Sequence, residues 1–355
     1  MTPLRPGMRS PPATKGPPPA GRGPWRLAWR RLARSRATLA FGGLFLAVVV
    51  LCLLAPVYAH DIAHTGPNDN HITETVKVGG KTLEVVSPTG VPIGPTWHSR
   101  FFLGADANGR DVAVRLLYGG RNSLEIGAIA TLITMLLAVL IGTSAGYFRG
   151  VTDGVLSRLL DVIWAFPPIL LGVALGVALA VGGLDLGVVK LHSGSLLLPA
   201  LIVGVVFVPY VARPLRGQVL SLRRREFVDA ARVQGRGHLR ILAEEILPNL
   251  TSTIVVFIPL MLANAILLEA GLSYLGAGVQ DPNPSWGTML AEGIRLTPGA
   301  IHLVLAPGLM LVVAVLGVNV FGDGLRDALD PRAGQRAIAM RLPRPTTAGA
   351  AVEEA

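Results

Sequence analysis

Six apolar blocks divide the chain, near residues 37–59, 124–147, 159–181, 195–212, 252–272 and 302–322. A helix needs about 20 residues to cross a bilayer, and all but the fourth block reach that length. In lipid each backbone N–H and C=O must be paired within its own segment, which predicts helices rather than open strands. The fourth block is short and carries Pro199 and Pro209. Proline is tolerated in membrane helices because neighbouring helices can satisfy the freed carbonyls. The pattern predicts an all-α integral membrane protein with six transmembrane helices.

The polar stretches between the blocks set the organisation. Residues 1–36 are a basic, proline-rich tail that ends in an amphipathic lead-in, WRLAWRRL, over 25–32. Residues 60–123 form a long loop in which 74–78 and 82–86 flank Gly79-Gly80, the signature of a small β-hairpin. Residues 213–250 form a second long loop within the five-helix core 124–322, and residues 323–355 a polar tail.

Charge supplies the orientation. If both termini are inside, the inner segments hold 24 of the 32 Lys and Arg residues, a bias that places both termini and the 213–250 loop in the cytoplasm. Only 15% of residues are charged, against roughly 25% in soluble domains, which again points to lipid as solvent. A net charge of +10 could indicate nucleic acid, but the arginines follow the inner loops and lack interleaved aromatic side chains. No nucleic-acid role is expected. The single cysteine, Cys52, lies in the first block and reads as a packing residue.

The segment RGQVLSLRRREFVDAARVQGRGHLRILAEE, over 216–245, is the most specific feature. It predicts a short helix over 225–234, a turn at Gly235 and a return helix over about 238–247. Gly235 can take the positive φ such a turn requires. Ala230 and Ala231 would allow close approach of a partner backbone. Asp229 would lie near the positive end of the short helix. Pro248 falls where a helix starts or breaks.

EFVDAARVQGRGHLRILAEEILPN resembles the EAA loop of ATP-binding-cassette (ABC) importer permeases, in its dipeptide/oligopeptide branch. WRRLARSRATLAFGGLFLAVVVLCLLAP, LGADANGRDVAVRLLYGGRNSLEIG, LSYLGAGVQDPNPSWGTMLAEG and FGDGLRDALDPR are similar to other parts of the second permease subunit of that branch, in the same order. The likeness covers about 24–60 and 101–333 and leaves out the hairpin insert near 61–97. Asp229 stands where Glu is usual, and Glu245 where an aliphatic residue is common.

The resemblance implies a multi-pass subunit of a bacterial or archaeal cytoplasmic membrane. Its partners would be a second homologous permease, two ABC ATPase subunits and an extracytoplasmic substrate-binding protein. Glu226, Asp229, Ala230, Ala231, Gly235, Leu247 and Pro248 would carry ATPase coupling, and the cargo would be a short peptide or a related small solute. The alternative is a secondary transporter or channel not driven by ATP. Paired repeats, broken half-helices and several midplane charges, which such proteins typically show, are not evident here.

The remaining candidates are weaker. Asp106, Asn108, Arg110 and Asp111 could hold a cation, but a turn capped by Asp and Asn, with Arg110 pairing locally, is the expected arrangement. Trp286, in the stiff QDPNPSWG loop, is expected to anchor at the membrane interface. Asn264, Glu269 and Asn319 are candidates for a substrate path or for helix–helix hydrogen bonds. Glu269, near the outer end of its block, is expected to be wet. The chain carries no G-x-x-x-x-G-K-[ST] loop, no H-E-x-x-H motif and no G-x-S-x-G elbow. No enzymatic activity, cofactor or metal is expected, and ATP hydrolysis would belong to a separate subunit.

Overall fold

The structure, a computed structural model, describes residues 29–30, 32–185, 190–192, 194–297 and 299–329. The proline-rich start, most of the 25–32 lead-in and the tail beyond Leu329 lie outside them. Helix α1 (Arg36–Leu53) is capped by Ser35, then continues through a short turn, Ala55–Val57, and a π turn, Tyr58–Ala63. The hairpin forms as expected. β1 (Thr75–Val78) pairs antiparallel with β2 (Lys81–Glu84) around Gly79 and Gly80, both at positive φ.

Helix α2 (Val112–Phe148) is the central post. At 1.5 Å per residue it is about 55 Å long, well beyond the roughly 30 Å hydrocarbon layer. Its close neighbours reach it through small residues. A methyl group added at Gly142 would come 2.7 Å from the Ala212 carbonyl oxygen, and one at Gly146 2.8 Å from the Val219 side chain. Without a hydrophobic drive between helices in lipid, this close backbone approach is what holds a membrane bundle together.

The third block differs from its expectation. It is two helices, α3 (Gly150–Trp164) and α4 (Pro168–Gly182), which meet at 89°. The cause is Pro167-Pro168: each proline lacks an N–H and drives the residue before it out of helical geometry. The fourth block is α5 (Leu197–Val206) and α6 (Val208–Leu222), bent by only 41° and running ten residues beyond Ala212. That extension carries Arg213 and Arg216, which reach Asp161 and Asp153 at 2.6 Å and pin α3 antiparallel along α6.

Next come α7 (Glu226–Val233), α8 (His238–Ile241), α9 (Leu247–Tyr274), α10 (Trp286–Ile294) and α11 (His302–Leu329). A π turn, Leu242–Ile246, joins α8 to α9. Helix α11 packs on α1 through Gly42, Gly317 and Gly324, and extends seven residues past the expected end of its block. Leucines 39, 46 and 53 of α1, 132, 136 and 140 of α2, and 305 and 309 of α11 form an exposed apolar surface. Exposed apolar side chains of this kind mark contact with lipid or with another protein.

Trp286 is not an interfacial anchor. It is fully buried, its indole N–H donates to the Leu116 carbonyl at 3.1 Å, and its ring lies over Gly120 beside Cys52. Gly120 makes the room: a methyl group there would be 2.5 Å from Cys52 Sγ and 2.6 Å from the Trp286 ring. Cys52 is a buried packing residue, as expected.

Candidate functional site

The 213–250 loop folds as a helix, a turn and a return helix. An eight-residue helix such as α7 is too short to persist alone. It is held by Val228 and Ala231, one turn apart, which enter the same apolar core as Val219, Ile241, Ile246 and Leu250. Its C-terminus closes as a Schellman motif. The Arg236 N–H donates to the Ala231 carbonyl and the Gly235 N–H to the Arg232 carbonyl, with Gly235 at φ +75°.

Polar contacts fix this unit to the end of α2. Arg223 donates to the Tyr147 carbonyl at 2.6 Å, and the Tyr147 hydroxyl lies 3.1 Å from His238 Nδ1. Arg236 bridges to Glu244 at 3.2 Å and Glu245 at 3.0 Å. Glu245, where an aliphatic residue is common, thus ties the turn to the return helix. Asp229 pairs with Arg232 at 2.9 Å. Pro248 sits in the first turn of α9, and the π turn before it lets Leu247 N–H reach back to the Leu242 carbonyl.

One expectation is corrected. Ala230 is exposed, but Ala231 is buried against this chain's own core and presents no surface to a partner. The exposed apolar positions are Val233 and Leu239, 90% and 77% exposed, with Phe227 partly exposed at 37%. Sequence reasoning passed over them. The available signal was the mismatch between Val228/Ala231 and Phe227/Ala230/Val233, two apolar stripes on one short helix, of which only one can face inward.

At the other end of α2, Asp106 caps its own turn, accepting from the N–H groups of Asn108 and Arg110 at 2.9 Å. Asp111 caps α2 through the N–H groups of Ala113 and Val114. Arg110 pairs locally with Asp106 at 2.6 Å, but it also reaches Glu292 of α10 at 2.9 Å. Arg115, fully buried, lies 3.4 Å from both Asp106 and Glu292 and donates to the Pro67 carbonyl at 3.1 Å. Burial pushes the Glu292 carboxyl above its ordinary range, against the pull of Arg115 and Arg110. The carboxylates of Asp106 and Glu292 thus face Arg110 and Arg115.

Glu269 is a second correction. It is fully buried, accepts from Ser273 Oγ at 2.7 Å, and interacts with the hydroxyls of Ser123 and Ser285. Ser273 Oγ in turn accepts from Val279 N–H at 3.0 Å, so Glu269 holds the loop that leads to α10. Asn264 donates to the Leu260 carbonyl within its own helix at 2.7 Å. Asn319 lines a cleft between α9 and α11 with Leu260, Asp323 and Arg326. The three expected path residues do not meet in one site. Glu269→Ala is expected to destabilise the fold by about 1–3 kcal/mol, and Glu269→Gln, which keeps an acceptor, by clearly less. Thermal unfolding of the purified protein in detergent reads the difference, and equal shifts would remove the hydrogen-bonding role.

Comparison with known proteins places these features in context. Residues 138–335 match the family model described as binding-protein-dependent transport system inner membrane component. Residues 23–73 match the N-terminal TM domain of oligopeptide transport permease C. The chain is 33% identical to the dipeptide transport system permease protein DppC of Alkalihalophilus pseudofirmus, over 90% of this chain and 95% of that protein. It is 34% identical to the glutathione transport system permease protein GsiD of Pectobacterium atrosepticum, over 88% and 92%. A solved inward-facing structure of the MetNI methionine ABC transporter superposes with a TM-score of 0.50 at 17% identity, covering 61% of this chain and 96% of that one.

Proposed function

The chain belongs to the family of binding-protein-dependent transport system inner membrane components, and on that premise we propose that it is the permease subunit of an ATP-driven importer for di- or oligopeptides or a related small solute. It is a transport component, not an enzyme. The observation that carries the mechanism is the two-faced helix α7. Its inner face, Val228 and Ala231, is continuous with the membrane bundle, and its outer face, Phe227, Ala230 and Val233, is bare.

A rigid element of this kind transmits displacement. In this reading an ATPase subunit receives α7 with Glu226 and Asp229 of its first turn. Closure of an ATPase pair then moves α7, and through Tyr147, Val219 and Leu250 it moves α2, α6 and α9 together. Gly235 fixes the angle of the unit, while Leu247 and Pro248 start the helix that carries the motion into the bilayer. A second, homologous permease would cover the open face of α9, where Leu260 and Leu267 are exposed. An external binding protein would deliver the solute to the opposite side. The arginine bias supports a cytoplasmic position for both termini and for the 213–250 loop, with the hairpin-bearing 60–123 loop outside.

Val233→Asp and Leu239→Asp test the docking face. Neither side chain is packed, so each variant should fold within about 0.5 kcal/mol of the parent. Burying the new carboxylate at an interface should weaken recovery of the ATPase subunit with the tagged permease by at least about tenfold. Undiminished recovery with both variants would remove this face from the contact.

A further inference from the structure

Where α2 ends, Arg149 breaks the helix at φ +59° and faces the junction of α6 and α7 across a surface cleft. The cleft is lined by Arg149, Leu220, Ser221, Arg224 and Arg225. None of these three arginines forms an ion pair among the described residues. Asp153, which feels the charge of Arg149, already has both oxygens held by Arg216, at 2.6 and 2.8 Å. Arg223 lies beside the cleft, and burial followed by the charges of Arg232, Arg149 and Arg224 holds its guanidinium below the usual range. Cationic charge is thus concentrated around a concave surface that supplies a hydroxyl and no anion.

We propose that this cleft binds a phosphate group, carried by an anionic phospholipid of the adjoining leaflet. Guanidinium forks match phosphate oxygens geometrically, and Ser221 adds one more donor. The setting favours lipid as the carrier. Phe148 and Val151, either side of Arg149–Gly150, are 44% and 83% exposed, so apolar side chains flank the basic cleft at the end of a membrane helix. Basic residues beside exposed apolar ones at the end of such a helix match a headgroup and the start of its acyl chains. The inference goes beyond the importer reading and requires only that α2 and α6 cross the bilayer, so its failure would leave that reading standing.

The test uses the full-length chain in nanodiscs of mixed phosphatidylglycerol and phosphatidylcholine, released for native mass spectrometry. Wild-type protein should retain phosphatidylglycerol in preference to phosphatidylcholine. Arg149→Gln/Arg224→Gln/Arg225→Gln should reduce that preference on the order of a hundredfold, at about fivefold per arginine. The corresponding triple lysine variant, which keeps the charge but not the fork, should fall between wild type and the glutamine variant, which separates loss of charge from loss of fold. Equal retention of the two lipids by wild-type protein, or a preference that survives the glutamine substitutions, overturns the proposal. Excess inorganic phosphate should leave the adduct in place; displacement would make free phosphate the ligand and overturn the lipid assignment. Loss of the copurifying ATPase with unchanged lipid adducts in the glutamine variant would assign the cleft to a protein contact and overturn it as well.

Discussion

Uptake by a Gly235→Asp variant is expected to fall to background while the protein stays folded in the membrane. The two halves of this expectation have separate physical grounds. Among the described residues nothing lies within 4 Å of a methyl group placed at Gly235, so the Cβ of aspartate has open space. Its cost is the left-handed backbone, φ +75°, roughly 1–2 kcal/mol for an ordinary L residue and less for Asp or Asn. The Schellman hydrogen bonds involve backbone only and can persist. Outside the chain the balance reverses. The new carboxylate follows directly on the bare α7 face that ends at Val233, and pressing an uncompensated charge into a protein contact costs several kcal/mol. About 3 kcal/mol would weaken docking on the order of a hundredfold. Uptake of labelled dipeptide, normalised to the permease in isolated membranes, is the measurement. Gly235→Asn serves as a control of similar size and backbone tolerance, so activity with Asn and none with Asp would locate the effect in charge. Normal uptake by normally expressed Gly235→Asp would sink the coupling role assigned to this turn.

What the sequence made legible, and what it hid, divides by the range of the interaction. Gly79-Gly80 and Gly235 are local instructions: a positive φ within a few residues of polar or alternating sequence, and both turns form where expected. The apolar blocks are also local, and their helices appear. Pro199 and Pro209 drew attention to the fourth block. Yet Pro167-Pro168 makes the sharper break, because two successive prolines constrain two preceding residues rather than one.

Burial, by contrast, was decided by partners far along the chain. Trp286 carries the composition of an interface residue, and only the space left by Gly120, far away in sequence, turns it into core. Glu269 sits near the end of an apolar block and looked accessible, but the loop after α9 folds back over it through Ser273. Ala231 and Ala230 are adjacent and chemically identical. Which one faces the core depends on the direction of α7 relative to α2 and α6, and no local pattern contains that angle.

Arg115→Ala is expected to be the most destabilising single substitution around the 60–123 loop, at about 3–5 kcal/mol. Arg115 is fully buried and joins four separate stretches of chain. It stands on α2, donates to the Pro67 carbonyl, and lies 3.4 Å from Asp106 in the capped turn and from Glu292 on α10. Taking the guanidinium away leaves the buried Asp106 and the one-third-exposed Glu292 with Arg110 as their shared counter-ion, and it opens a hole among Val112, Met289 and Leu303. The pair is not expected to contribute much net stability as such, because burying both partners costs nearly what their attraction returns. The damage comes from breaking it one-sidedly. The double variant Arg115→Leu/Glu292→Gln, which removes the charge on both sides and refills part of the space, should therefore recover at least half of the loss. Detergent thermal unfolding of the parent, the single and the double variant measures the recovery directly, and limited proteolysis between 60 and 111 should show that loop opening in Arg115→Ala alone. A midpoint for Arg115→Ala indistinguishable from the parent, or a double variant weaker than the single, would mean that the 60–111 loop is held by its hairpin and turns, not by this ionic junction.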